Sequence, residues 1–483
     1  MTSVPAPTTW TAAAAARVKR QSRIPDLAVL LFVFVFYTNL AVVVTRFHGV
    51  PQIVASGIAV LLFVPIVKYL VVERQPVVVT PVLPLVFVFL AALFLSSTLS
   101  LEPDVVRGAV GLYLTEGLLL YLLVSNAVRT TRMLTMVVWT LIAAASLLGA
   151  LSVVQELTNT YENDYAGFAQ VDRLDVGGNF NIAPDTAEEK ELRPRLGGPL
   201  GSENRYAQIL AVIFPFALIR AFRDPRRRFR LLGAAASILI ASGVILSFSR
   251  GAAVALAATI VLMVLLRELR LRQVVLALAA LTAVVLLAFP HYLIRISSLA
   301  EITALSTTEQ SSDGPDSAIV GRQTENLAAW NTFLDHPIVG VGPGAYFHEY
   351  SREYANRLGI RYLESDRRGH SLYLEMAADI GMLGLGAFVA MVLAALALLH
   401  RSMRYWRRRD PERSLLASSL FFGLVAYLAT AAFLHLSYQR YFWVVLALAS
   451  SAIWTLRQEE HRDRRAPSDE RELDFRPAES PAT

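Results

Sequence analysis

The stretch LAVLLFVFVFYTNLAVVV, from Leu27 to Val44, decides the class of fold because it carries no charged residue on any face. A surface helix of a soluble protein would place charged residues opposite an apolar stripe, at a period of 3.6 residues. A run of about 18 mostly apolar residues is long enough to cross the hydrocarbon core of a bilayer. This stretch and others like it, such as VVLALAALTAVVLLAF from Val274 to Phe289, therefore predict membrane-spanning helices.

The composition of the whole chain supports this interpretation. Of the 483 residues, 55% are hydrophobic and 17% are charged, and apolar blocks alternate with short charged runs. The chain has no cysteine, which excludes disulfides, thiol nucleophiles and thiolate zinc sites. We predict an all-α polytopic membrane protein with about 12 transmembrane helices. The predicted helices cover residues 26–45, 50–72, 77–98, 105–127, 133–157, 204–222, 231–248, 251–267, 273–290, 371–400, 415–436 and 440–456.

The basic residues predict how these helices are oriented. Loops rich in Lys and Arg alternate with loops that lack them, and the positive-inside rule places the basic loops in the cytoplasm. These loops are KYLVVERQ (68–75), VRTTR (128–132), RAFRDPRRRFR (220–230), RELRLRQ (267–273) and HRSMRYWRRRDPER (400–413). Both termini are therefore predicted to be cytoplasmic, with residues 1–25 as a tail and residues 457–483 as a disordered tail. The net charge of +6 then needs no nucleic-acid partner.

Two connections are long, residues 158–203 and 291–370, and both are predicted to lie outside. We expect function there, because short loops cannot build a site. In the second connection, ENLAAWNTFLDHP places Leu327, Trp330 and Leu334 on one helical stripe. This pattern predicts an amphipathic helix on the surface of the bundle or of the membrane.

Three ionisable residues lie at the predicted outer boundary: Arg250 in SFSRGAAVAL, Arg322 at the start of the amphipathic helix, and His370 at the start of the tenth span. Each has an ordinary interpretation, because boundary arginines reach towards headgroups and a boundary histidine can bond to a backbone carbonyl. Two arginines on one face could instead clamp a pyrophosphate through bidentate hydrogen bonds. A histidine there could accept the proton of an attacking sugar hydroxyl.

The sequence on both sides of His370 adds two expectations. Arg367 and Arg368 precede it and, as nearby cations, would favour its neutral, basic form. The helix that follows has three glycines, whose missing side chains would let another helix pack closely. These glycines are Gly381, Gly384 and Gly386.

Motifs for nucleotide or metal binding are missing. The chain has no Walker loop, no Gly-rich dinucleotide fingerprint and no HExxH zinc motif. The first external loop, RFHGV at 46–50, has no carboxylate. We therefore predict that the protein needs no cofactor and holds no metal, and that the acidic residues of loop 158–203 form a solvated surface.

Four motifs follow one another between residues 193 and 400. They are RPRLGGPLGSENRYAQIL (193–210), SFSRGAAVAL (247–256), GRQTENLAAWNTFLDHPIVGVGPGAYF (321–347) and HSLYLEMAADIGMLGLG (370–386). Together, and in this order, they resemble the O-antigen ligase and O-antigen polymerase family of bacterial membrane glycosyltransferases. In that family the histidine motif often reads His-Asn, whereas Ser371 follows the histidine here and can still cap the helix.

The resemblance implies a GT-C-like transmembrane glycosyltransferase domain over residues 26–456, with a large external loop between helices 9 and 10. It implies an active site on the outer face of the cytoplasmic (inner) membrane. The donor would be an undecaprenyl-pyrophosphate-linked glycan and the acceptor a lipid, glycan or protein hydroxyl, in a metal-independent, inverting reaction. The family's two arginines correspond to Arg250 and Arg322, which would hold the pyrophosphate, and its catalytic histidine corresponds to His370.

Further residues at the outer ends of helices are candidates for supporting these three. Helix capping and interfacial anchoring are their ordinary interpretations. They are Arg195, Glu203, Asn204, Arg205, Tyr438 and Arg440. Two other functions stay open: a polysaccharide polymerase of the same family, and a polysaccharide flippase or secondary transporter. A transporter would place ionisable residues near the middle of the membrane, whereas the distinctive charges here lie at its outer boundary.

Overall fold

The computed structural model describes residues 24–172, 195–288, 315–360, 362–435 and 440–465. Within these ranges the chain is helical apart from loops and one small antiparallel sheet. The helices are α1 (Ile24–Tyr37), α2 (Leu40–Phe47), α3 (Gln52–Val72), α4 (Leu83–Leu99), α5 (Pro103–Ala127), α6 (Thr131–Thr158), α7 (Glu203–Arg223), α8 (Arg227–Leu246), α9 (Arg250–Leu265), α10 (Leu271–Ala288), α11 (Pro315–Asp335), α12 (Ser351–Arg357), α13 (Leu372–Trp406), α14 (Pro411–Ala431) and α15 (Arg440–Arg465). The strands are β1 (Gln170–Asp172) and β2 (Arg195–Gly198).

Seven helices in the described ranges are long and apolar enough to cross a membrane. An eighth span results if α1 and α2, which meet at an angle of 58°, are counted together. The bend lies at Asn39, whose left-handed backbone (φ 57°) interrupts the helix. Every predicted span coincides with a helix, which confirms a polytopic all-α membrane protein; the number of twelve spans stays a prediction.

Helices α7 and α14 form the centre of the bundle. In their most apolar windows 94% and 83% of the residues are buried, whereas α3 has 19% buried in its window. Both central helices pack against each other, and α7 also packs along α8. Because α7 begins and α14 ends at the same end of the bundle, their termini can carry side chains of one site.

Two helices, α15 and α11, extend further than predicted. Helix α15 continues to Arg465, so residues 457–465 are not a disordered tail. Its charged end is held by neighbours: Tyr405 Oη donates to Asp463 Oδ2 at 2.6 Å, and Arg413 Nε lies 2.5 Å from Glu459 Oε2. The remaining tail, like residues 1–23, lies outside the described ranges.

Helix α11 begins at Pro315, so Arg322 lies two turns inside it and does not open it. It packs on α12 and α13 through small buried residues, among them Ala328, Ala329 and Thr332. The predicted apolar stripe faces away from the protein, since Trp330 and Leu334 keep 43% and 54% of their surface exposed. Contact between this stripe and the membrane surface stays a prediction.

The glycines of α13 were expected to let another helix pack closely, and the structure shows different surroundings for them. Gly381 has φ 63° and ψ −168°, which breaks the helix, and the backbone around Ile338 fills the space beside it. The close neighbour of Gly381 is therefore a loop and not another helix. Gly384 is covered by the side chain of Ile380 in its own helix, and Gly386 has open space beside it.

Candidate active site

Four segments meet at one end of the bundle: the starts of α7, α9 and α13, and the residues that follow α14. Ser249, which caps α9, donates from Oγ to Asn204 Oδ1 at 2.7 Å and so joins α9 to α7. Arg205 Nη2, one residue further along α7, donates to Nδ1 and to the carbonyl oxygen of His435 at 2.7 and 2.9 Å. Phe433 packs against Gly251 at the start of α9. These contacts fix the starts of α7 and α9 to the segment after α14.

An open pocket of about 330 Å³ lies at this end. It joins α11, the segment before α13 and the segment after α14. All of its lining residues except Phe347 are polar or charged, which suits a hydroxylated ligand better than a lipid chain. The lining residues are Glu325, Phe347, Ser365, Asp366, Arg367, Arg368, His370 and His435.

His370 stands directly before α13, as predicted, and its nearest charged neighbour is a carboxylate. Its Nε2 lies 2.8 Å from Oε2 of Glu325, a residue of α11 that is 3% exposed. Within the described residues Oε2 has no aligned hydrogen-bond donor, so the contact is an ion-pair distance without ideal geometry. A carboxylate in this place favours the tautomer with the proton on Nε2, which leaves the lone pair on Nδ1. It also stabilises the imidazolium that forms when the ring accepts a proton.

The two arginines that precede His370 are themselves neutralised. Arg367 Nη1 lies 3.8 Å from Glu325 Oε1, and Arg368 Nη1 donates to Glu375 Oε1 at 2.8 Å. The expectation that these cations favour a neutral imidazole considered the arginines alone. Each arginine faces a carboxylate, and the expected effect of the two arginines on the ring stays a prediction. Ser371 occupies the N-cap position of α13, but its side chain makes no cap hydrogen bond.

His435 faces the same pocket as a neutral ring. An arginine can only donate, so Nδ1 of His435 accepts from Arg205 and the ring proton is on Nε2. Burial lowers the pKa of His435 to about 2, helped by the positive charges of Arg205 and Arg368. A buried histidine that cannot take a proton cannot act as the base, but it can donate from Nε2.

Arg250 opens α9 and stands at one end of a long apolar groove. The groove has a volume of about 690 Å³ and runs between α7, α8, α9 and α10. Its walls are built from side chains such as Leu218, Ile238, Leu256 and Leu276. Arg250 itself is exposed, and no carboxylate among the described residues lies within ion-pair distance of it. A cation that has no carboxylate partner in the described part of the chain thus lies at the end of a groove suited to a hydrocarbon chain.

Arg322 lies in α11, one helical turn before Glu325. Residues three apart in a helix share a face, so the guanidinium belongs to the side of α11 that carries the carboxylate against His370. Arg322 is exposed and has no carboxylate partner within the ranges that the structure describes. Neither Arg322 nor Arg250 lines the 330 Å³ pocket.

The predicted supporting residues divide into two groups. Arg195 Nη1 lies 3.6 Å from Glu203 Oε1, which also accepts from Asn204 Nδ2 at 2.8 Å. Asn204 and Arg205 then continue this network to Ser249 and His435, so four of the six residues act together at the start of α7. These four are Arg195, Glu203, Asn204 and Arg205.

The other two predicted supporting residues follow α14. Arg440 Nη2 donates to Asn39 Oδ1 at 3.0 Å, and Asn39 Nδ2 donates to the carbonyl oxygen of Pro199 at 3.0 Å. Arg440 therefore ties α15 to the bend between α1 and α2 and to the loop before α7. Tyr438 lies outside the described residues.

Two residues of the site were missed from the sequence, Glu325 and His435. Glu325 follows Arg322 by three positions, in GRQTENLAAW, and that spacing was the available signal. His435 was placed inside the predicted span 415–436, whereas α14 ends at Ala431 and leaves it in the following segment.

Comparison with known families agrees with the motifs. Residues 235–389 match the family model described as O-antigen ligase. The matched segment contains Arg250, Arg322, Glu325 and His370. No curated protein matches the chain at a significant level. The family match confirms the resemblance for about the third of the chain that it covers, which contains three of the four motifs; the motif at 193–210 precedes it.

Proposed function

We propose that the protein is a membrane glycosyltransferase of the O-antigen ligase type. It transfers a glycan from an undecaprenyl-pyrophosphate donor to an acceptor hydroxyl on the outer face of the cytoplasmic membrane. The observation that carries the proposal is the O-antigen ligase match over residues 235–389, which includes Arg250, Arg322 and His370. A polytopic helical fold supports it, because a polyprenyl donor must be reached from the bilayer.

The apolar groove supports a lipid-linked donor. A polyprenyl chain in the groove beside α9 would place its pyrophosphate at Arg250, where the apolar walls end. Arg250 and Arg322 are free to bind an anion, as far as the described residues go, because neither is neutralised by a carboxylate. Planar guanidinium groups match phosphate oxygens through paired hydrogen bonds.

The transfer step then assigns a role to each group. The acceptor oxygen attacks the anomeric carbon, the bond from that carbon to the pyrophosphate oxygen breaks, and the acceptor proton passes to Nδ1 of His370. Arg250 and Arg322 stabilise the charge that develops on the departing pyrophosphate. Glu325 stabilises the protonated imidazole. Attack opposite the leaving group inverts the anomeric configuration, and the guanidinium groups supply the charge stabilisation without a metal ion.

The direct test uses purified protein in proteoliposomes with a lipid-pyrophosphate oligosaccharide and a candidate acceptor, with and without EDTA. We expect transfer in both conditions, and loss of transfer in Arg250→Ala, Arg322→Ala and His370→Ala. His461→Ala, which removes an exposed histidine of α15, is the matched control and should retain activity. Normal transfer by folded His370→Ala protein would exclude the proposed base, and loss of activity in EDTA would exclude an arginine-only clamp.

A separate pair of substitutions tests the position of the lipid chain. Two neighbouring alanines of α9 differ in whether they line the groove. Ala257 lines the groove, whereas Ala258 is exposed and does not. Ala257→Trp should raise the donor KM by filling the groove, and Ala258→Trp should leave the donor KM unchanged. An equal effect of both substitutions would show that the polyprenyl chain does not occupy this groove.

The product distinguishes the related functions. A glycan moved to a second molecule indicates a ligase, and a glycan that grows on its own carrier indicates a polymerase. Movement of the intact donor across the membrane without any new glycosidic bond would indicate a flippase and would overturn the proposal.

A further inference from the structure

Helix α13 is broken about three turns after His370 by Gly381, and the loop that follows α11 is hydrogen-bonded into the break. The loop runs from Pro337 to Gly344 and follows α11 directly. Four backbone hydrogen bonds join the two. They are Val341 N to Ala378 O (3.0 Å), Gly342 N to Asp379 O (2.8 Å), Met382 N to Pro337 O (2.8 Å) and Leu383 N to Ile338 O (3.2 Å).

Glycine is required on both sides of this junction. Gly340 and Gly381 have φ of +72° and +63°, a backbone region that other residues rarely adopt. A Cβ on Gly340 would overlap the backbone of Asp379, and a Cβ on Gly381 would overlap the backbone of Ile338. The loop and the broken helix are therefore in direct backbone contact, which fixes the position of one against the other.

Asp379 closes the junction with its side chain. It is 2% exposed, and its Oδ1 accepts the backbone N–H of Tyr346 at 3.0 Å. Its own carbonyl oxygen accepts from Ser96 Oγ of α4 at 3.0 Å, in addition to the bond from Gly342. A buried carboxylate is costly unless it makes hydrogen bonds of this kind. Asp379 thus holds the far end of the loop, where Tyr346 begins.

Tyr346 connects this junction, through Glu325, to the candidate base His370. Its side chain is completely buried, and Oη donates to the backbone carbonyl of Glu325 at 3.0 Å. Burial raises the pKa of Tyr346 above its usual value, as do the carboxylates of Glu375, Glu325 and Asp379, so the hydroxyl keeps the proton that it donates. The carboxylate of Glu325 is the group that touches His370.

We propose that Asp379 is a positioning residue for the pair Glu325–His370 and acts through Tyr346. The Asp379 carboxyl group fixes the backbone of Tyr346, and the Tyr346 hydroxyl fixes the backbone of Glu325. The Glu325 carboxylate in turn fixes the orientation of the His370 imidazole. His370 is also attached to the other side of the junction, because α13 begins directly after it. For its catalytic consequence this inference rests on the proposed function.

The test compares Asp379→Ala, Asp379→Asn and Tyr346→Phe in full-length protein. Ser402→Ala is the matched control, since it removes a buried polar group from the other half of α13. Two quantities are measured: kcat and donor KM in the transfer assay, and the rate at which diethylpyrocarbonate modifies His370, determined by peptide mass spectrometry. The exposed His461 is the internal reference for reagent concentration.

We expect Asp379→Ala and Tyr346→Phe to lower kcat, on the order of 10²-fold, which is what a misplacement of about 1 Å costs in a catalytic site. Donor KM should stay the same, because the groove at Arg250 is not touched. Modification of His370 should become several-fold faster relative to His461. Asp379→Asn should retain more activity than Asp379→Ala, because an amide oxygen can still accept from Tyr346.

Folded Asp379→Ala and Tyr346→Phe proteins with the wild-type kcat and the wild-type rate of His370 modification would overturn the inference. If Asp379→Ala does not fold, Tyr346→Phe decides, since it removes one hydroxyl and leaves the junction intact. Failure of the proposed function gives a different result. In that case the wild-type protein transfers no glycan, and the His370 modification rate alone reports whether Asp379 positions the imidazole.

Discussion

The carboxylate of Glu325 should be worth about two orders of magnitude in turnover. Glu325→Gln keeps the shape of the side chain and removes the charge that faces the protonated imidazole. Opposite unit charges about 4 Å apart interact by about 4 kcal/mol at an effective dielectric constant of about 20. The side chain of His370 is 30% exposed, so solvent weakens this interaction. A loss of about 2.7 kcal/mol corresponds to a decrease of kcat on the order of 10²-fold.

Steady-state kinetics with a lipid-pyrophosphate oligosaccharide measure this effect. The decrease should appear in kcat and in kcat/KM alike, because the charge matters only when the ring has accepted a proton. Glu353→Gln is the matched control: it makes the same chemical change in an ion pair with Arg357 on the surface of α12. A Glu325→Gln protein with the turnover of the Glu353→Gln protein would refute the role assigned to Glu325.

Three further predictions concern stability, protonation and donor binding. Gly340→Ala should lower the free energy of unfolding by more than Gly359→Ala does, because both have φ near +70° but only Gly340 has backbone beside it; thermal unfolding measures the difference. The pKa of His435 is about 2 in the folded protein against 6.5 in the unfolded chain, so the unfolded chain binds a proton that the folded protein does not between these values. Wild-type stability should therefore fall more steeply than that of His435→Gln as the pH decreases from about 6.5 to about 5, and equal slopes would contradict the neutral ring. Arg250→Lys should raise the donor KM, because an ammonium keeps the charge but loses the planar fork, and an unchanged KM would remove Arg250 from donor binding.

The sequence was sufficient for the class of fold and for the position of His370 just before a long helix. Long apolar runs admit few structures, because unpaired backbone groups are too costly in a bilayer, and a helix formed at every predicted span. His370 was found because a motif marks it and because it stands at a helix start. The limits of α11 and α15 were less predictable, since their polar ends are stabilised by neighbouring helices rather than by their own sequence.

Glu325 and His435 were missed for a related reason. A glutamate three residues after an arginine on a helix is an ordinary pair, and its true contact, His370, is 45 positions further along the chain. The role of His435 in the site depends on its contact with Arg205, which lies on a helix that is distant in the sequence. Contacts of this kind depend on how helices pack, and local patterns in the sequence do not contain that information.

The arginines proposed to bind the donor differ from those beside the proposed base in whether they face a carboxylate. Arg367 and Arg368 line the pocket of His370, but each faces a carboxylate, so they add little net positive charge for an anion. Arg250 and Arg322 do not line that pocket, and among the described residues neither has a carboxylate partner. In the proposed reaction, the anionic pyrophosphate would bind at Arg250 and Arg322, whereas the neutral acceptor hydroxyl would enter beside His370. Such an arrangement would keep the departing pyrophosphate on the opposite side of the anomeric carbon from the base, as an inverting transfer requires.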